Sequence, residues 1–127
     1  MADTESILIV DDDPEFQQLV EYNLKVAGFK VFQALNGPDG LKIAKKKLPG
    51  VILLDTTMPE MDGLEVLGEL KQDKKAKEIP VFMLTAKTLM EDIERAFDLG
   101  ADDYITKPVE LNKLAQIIRT KLRKAKS

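Results

Sequence analysis

A chain of 127 residues, 44% of them hydrophobic and 32% charged, has the size and balance of one soluble globular domain with a single core. Its formal net charge of -3 creates no global field for nucleic acid, and it contains neither cysteine nor histidine. Disulfides, thiolate metal sites, imidazole general bases and phosphohistidine are therefore excluded, and any chemistry falls to Asp, Glu, Lys, Thr, Ser or Tyr.

The first element, Ser6–Val10, is a short apolar run that reads as a buried strand and ends on Asp11-Asp12-Asp13. A helix is expected from Pro14, with Phe16, Leu19, Val20, Leu24 and Ala27 as its apolar stripe and Gly28 as its stop. Lys30–Leu35 reads as a second strand. The turn Asn36-Gly37-Pro38-Asp39-Gly40 leads into a helix with Leu41, Ala44 and Leu48 on one face. Val51–Leu54 is the most apolar strand and ends at Asp55. Thr56–Gly63 is a loop, Leu64–Leu70 a third helix, and a charged loop runs through Lys77. Val81–Leu84 is a strand ending at Thr85, and a fourth helix spans Leu89–Leu99 before Gly100. Tyr104-Ile105 forms a short strand before Lys107-Pro108. The last helix, Leu111–Lys124, turns Leu111, Leu114, Ala115, Ile118 and Leu122 inward. Apolar runs reach only four or five residues, too short to span a membrane, and the acidic start MADTES lacks a signal-peptide pattern. A cytoplasmic protein that does not engage membranes is expected.

Five strands alternating with five helices predict an α/β fold, a parallel sheet with helices on both faces. Ligands of such sheets bind outside the carboxyl ends of the strands. Asp11, Asp12, Asp55, Thr85 and Lys107 all fall at those ends, so three carboxylates, a hydroxyl and an ammonium are expected on one rim. Carboxylates so crowded require a cation, and all-oxygen donors suit Mg²⁺, with Mn²⁺ as its substitute. With Lys107 as a point charge and Thr85 as a donor, the set fits phosphoryl transfer to Asp55 as a covalent acceptor. Asp13 reads instead as the cap of the first helix. An EF-hand loop does not fit, because Phe16 stands where its glycine belongs and Tyr22 where its glutamate belongs.

Four motifs in order, ILIVDDDP, VILLDTTMPEMDGLEVL, VFMLTA and GADDYITKP, resemble those of the receiver domains of two-component response regulators over essentially the whole chain. The resemblance implies a flavodoxin-like (βα)5 sandwich with strand order 2-1-3-4-5, forming one receiver domain over residues 1–127. It implies that Asp55 is the phosphoacceptor. Asp12 and Asp55 would bind Mg²⁺ directly with the backbone carbonyl of Thr57, and Asp11 would act through water. Lys107, expected before a cis Pro108, would pair with the phosphoryl group. Thr85 and Tyr104 would move as the switch, and Thr57 and Lys87 would set the phosphoryl lifetime.

The partners implied are a sensor histidine kinase or phosphotransfer protein upstream, and downstream a separate protein, a fused output domain or a second copy of the chain. Ile117 stands where members dimerising through the last helix carry Arg, which counts against that dimer. Lys121, Arg123, Lys124 and Lys126 read as a solvated helix end rather than a nucleic-acid patch. Two other readings stay open. One is a degenerate receiver serving only as an interaction module. The other is an aspartyl-nucleophile phosphatase of the haloacid dehalogenase class, although Thr57 stands where that class has its second Asp.

Overall fold

The computed structural model describes residues 5–56, 58, 62–86 and 90–125, the side chains of 90–92 excepted. Its strands are β1 (Ser6–Val10), β2 (Lys30–Ala34), β3 (Val51–Asp55), β4 (Val81–Ala86) and β5 (Asp103–Lys107). They form one parallel sheet in the order β2-β1-β3-β4-β5. The helices are α1 (Pro14–Val26), α2 (Gly37–Lys47), α3 (Gly63–Gln72), α4 (Met90–Asp98) and α5 (Leu111–Ala125), with a 3₁₀ turn at Ala76–Glu78.

The central strands β1 and β3 are apolar at nearly every position because both sheet faces are covered. Alternate residues divide between two cores. Leu8, Val10, Ile52 and Leu54 pack with α2 and α3 residues on one face. Ile7, Ile9, Leu53, Phe82 and Leu84 pack with Val20, Leu24, Leu114, Ile118 and Leu122 on the other. Each such aliphatic side chain removed from water contributes roughly 1.5–3 kcal/mol.

Local sequence sets where the helices begin. Asp13 caps α1, its Oδ1 accepting from the N–H groups of Glu15 and Phe16, as expected. Asn36 caps α2 through the N–H of Asp39. Asp62 and Glu65 form a reciprocal capping box at α3. Asp73 closes the turn after α3, and the N–H of Ala76 on its carboxylate holds its pKa below the usual carboxylate range.

Three leucines depart from their expected positions. Leu19 is 54% exposed, because the buried stripe of α1 runs through Gln17, Val20 and Leu24 and so leaves Leu19 on the solvent shoulder. Leu48 does not continue the α2 stripe. It caps the helix in the left-handed region at φ 46°, directly before Pro49, whose ring disfavours α geometry at the preceding residue. Leu35 lies beyond the end of β2 and is exposed. β5 is longer than Tyr104-Ile105 and includes Lys107, while β4 includes Thr85.

Candidate functional site

Register brings the rim together. Val10 of β1 pairs with Leu54 of β3, so Asp11 and Asp55 leave the sheet side by side. Asp55 pairs with Leu84 of β4, and Thr85 and Ala86 pair with Thr106 and Lys107 of β5. Residues from four adjacent strands therefore reach one edge from separate parts of the chain.

One carboxylate oxygen from each of Asp11, Asp12 and Asp55 lies within 4.8 Å of the other two. Asp11 and Asp55 are buried and Asp12 is exposed, so the cluster has a dry floor and an open side. Lys107 reaches in from β5, with its Nζ 2.8 Å from Asp11 Oδ2 and 3.9 Å from Asp55 Oδ2. The ammonium also sits 4.7 Å from the centre of the Phe16 ring, a cation–π contact that holds it over the site. The second Asp11 oxygen accepts the N–H of Asp13 at 2.9 Å. Phe16 thus does more than fill the α1 stripe. The Lys107-Pro108 peptide is cis, as the resemblance implies.

Among the described residues, three carboxylates and one ammonium leave two formal negative charges in this space. An all-oxygen cluster with that residual charge and one exposed member fits a hard divalent cation such as Mg²⁺. Asp11, expected to act on the metal through water, is also the principal partner of Lys107.

Thr85 is buried, and among the described residues its hydroxyl makes a long 3.3 Å contact to the carbonyl of Ala86. Tyr104 is half-buried, edge-on to Phe97 at 6.2 Å and beneath Lys121 at 5.9 Å. Thr57 and Lys87 lie outside the described residues. Ile117 is half-buried against the α5 face of the core and lines a cleft with Tyr104, Pro108 and Lys121.

β3 leads into α3 through a close crossing. The N–H of Gly63 donates to the carbonyl of Thr56 at 3.1 Å, and a Cβ at Gly63 would collide with the main-chain carbonyl oxygen of Asp55. Glycine is what allows the backbone to pass directly over the strand end that carries Asp55. The residue pattern did not single out this glycine.

The family model for the response regulator receiver domain matches residues 7–119. The DNA-binding transcriptional regulator RpaA of Synechocystis is 42% identical over 93% of this chain and 49% of its own length. The alkaline phosphatase synthesis regulator PhoP of Bacillus subtilis is 39% identical over 94% of this chain and 49% of its own. The chain thus spans about half the length of these curated relatives. Among solved structures, the chemotaxis protein CheY4 of Vibrio cholerae superimposes with a TM-score of 0.87 at 30% identity, covering 93% of this chain and 98% of that one. The receiver domain of the sensor histidine kinase PA1611 of Pseudomonas aeruginosa, with a magnesium ion coordinated in its active site cleft, gives a TM-score of 0.85 at 27% identity. It covers 95% of this chain and 99% of that one. Among the described residues, no helix is long and apolar enough to cross a membrane. With four strand ends converging on an acidic cluster and one lysine, and with the family model spanning 113 of its 127 residues, the chain belongs to the receiver domains of response regulators.

Proposed function

We propose that this chain is a phosphorylation-controlled switch whose phosphoacceptor is Asp55. The observation that carries the reading is the meeting of Asp11, Asp12 and Asp55 within 4.8 Å, with the ammonium of Lys107 against Asp11 and Asp55. The phosphoryl donor is a sensor histidine kinase or phosphotransfer protein, since this chain has no histidine of its own. An Asp55 carboxylate oxygen forms a bond to phosphorus as the phosphorus–nitrogen bond of the donor phosphohistidine breaks. The electron pair leaves with the imidazole nitrogen.

Asp12, Asp55 and the Thr57 carbonyl would hold Mg²⁺ directly, with Asp11 acting through water, and the ion would supply positive charge for the phosphoryl oxygens. Lys107, already between Asp11 and Asp55, neutralises a further oxygen and keeps Asp55 aimed outward from the strand. The weakly bonded Thr85 hydroxyl turns to a phosphoryl oxygen. Tyr104 moves inward behind it, and the surface of α4, β5 and α5 changes with them. That surface controls a separate partner, a fused output domain or a second copy of the chain. The domain modifies itself and turns over no free substrate.

Incubation of the cytoplasmic-type protein with acetyl phosphate and Mg²⁺, read by intact mass, tests the reading. Wild type is expected to gain one phosphoryl group and Asp55→Ala none. Mg²⁺ binding without any mass gain would favour the pure interaction module. Thr57 and Lys87 are assigned to phosphoryl lifetime. Lys87→Ala is expected to change the dephosphorylation rate several-fold, less than the roughly 10²–10³ in rate that removal of one preorganised oxyanion donor costs. Equal rates in variant and wild type would remove Lys87 from that role.

A further inference from the structure

The three site carboxylates are not held alike. Asp11 is fixed by Lys107 and by the N–H of Asp13, and Asp55 stands at the end of a fully buried strand beside Lys107. Asp12 is exposed, and among the described residues no hydrogen bond or ion pair reaches its carboxylate. Its position depends on the main chain that precedes it.

That main chain is gripped by Gln17, a residue 2% exposed on the inner face of α1. Its side-chain Nε2 lies 2.9 Å from the carbonyl of Ile9, 2.9 Å from that of Ala34 and 3.2 Å from that of Asp11. Two N–H groups are thus shared among three carbonyls at the tips of β1 and β2. The N–H of Asp11 donates to the same Ala34 carbonyl at 3.1 Å. The Gln17 main-chain carbonyl in turn accepts from Gln33 Nε2 at 3.0 Å, tying α1 to β2. The carbonyl of Asp11 belongs to the peptide plane from which Asp12 departs, so holding it sets the direction of the Asp12 side chain.

This grip comes with a buried polar atom. Among the described residues, the buried Gln17 Oε1 has no hydrogen-bond partner. A leucine or methionine would fill the same space with no orphaned acceptor, so packing alone does not account for an amide here. We propose that Gln17 is a positioning residue for the cation site, acting through the Asp11–Asp12 peptide. The inference rests on the phosphoacceptor reading above and adds to it a residue that touches neither cation nor phosphoryl group.

The test is Mg²⁺ affinity, measured by titration calorimetry on the full chain for wild type, Gln17→Leu and the closer isostere Gln17→Met. Groups that orient metal ligands typically change affinity 10–100-fold when removed. Both variants are expected to bind Mg²⁺ about ten-fold more weakly. Their rate of phosphorylation by acetyl phosphate is expected to fall at low Mg²⁺ and return to the wild-type rate at saturating Mg²⁺. A merely structural role would lower the melting temperature and leave the Mg²⁺ affinity alone, and that result in either folded variant would overturn the proposal. If wild type binds Mg²⁺ and is phosphorylated while the variants match it, only the Gln17 assignment falls. If wild type does neither, the phosphoacceptor reading falls and takes this one with it.

Discussion

Lys107→Met is expected to destabilise the protein by about 2–3 kcal/mol in metal-free buffer. This lies below the roughly 3–5 kcal/mol usual for breaking a buried ion pair, because the lysine head is partly in water. Methionine keeps an apolar stem of similar reach and removes only the ammonium, together with its ion pairs and its contact with the Phe16 ring. Without the ammonium, the wholly buried Asp11 carboxylate loses its 2.8 Å partner and faces the carboxylates of Asp55 and Asp12. Two further measurements identify the cause. In Lys107→Met with Asp11→Asn, most of the loss is expected to return, because the uncompensated charge has gone. Raising Mg²⁺ is also expected to narrow the gap between Lys107→Met and wild type, since a divalent cation takes over part of the neutralisation. Urea denaturation with and without Mg²⁺ reads both effects. A deficit that persists in the double variant would mean that Lys107 acts through the cation–π contact of its ammonium with Phe16 instead.

This dependence of one strand end on another explains which parts of the molecule were legible in the residue pattern. The rim residues were legible because a parallel sheet sends every strand's carboxyl end to one edge, whereas the strand order was implied by the resemblance alone. An acid, a threonine or a lysine ending an apolar run is therefore placed by the fold itself. The capping role of Asp13 was legible because it is local. The rotation of α1 was not. Phe16, Leu19, Val20 and Leu24 form an acceptable apolar stripe, but Gln17 takes the buried position by bonding carbonyls on two strands, a contact that hydrophobic periodicity cannot register. Leu48 was misplaced because the effect of Pro49 on the preceding residue outweighs the helical period. The second role of Phe16, as a platform for Lys107, joins positions that only the tertiary fold brings together.

Gly63→Ala offers the sharpest contrast, because the same helix holds a glycine where the identical substitution is expected to help. At Gly68, in the middle of α3, a Cβ meets no atom within 4 Å. Gly68→Ala is expected to stabilise the fold by roughly 0.5–1 kcal/mol through lower chain entropy and better helix propensity. At Gly63 a Cβ would strike the Asp55 carbonyl oxygen and lie 2.9 Å from both the Asp55 carbonyl carbon and the Thr56 Cα. These are backbone atoms and have no rotamer to escape into. Relief requires either α3 to lift off the sheet or the end of β3 to shift. The first breaks the Gly63-to-Thr56 hydrogen bond and loosens Leu64, Val66 and Leu67 in the core. The second moves Asp55 away from Asp11 and Lys107. Overpacking against a rigid partner costs about 3 kcal/mol or more, so a lowered urea midpoint is expected for Gly63→Ala and a raised one for Gly68→Ala. If Gly63→Ala remains folded, it is also expected to bind Mg²⁺ more weakly than Gly68→Ala. Equal Mg²⁺ affinity in the two would show that the strain is relieved by the helix and that the strand end carrying Asp55 stays in place.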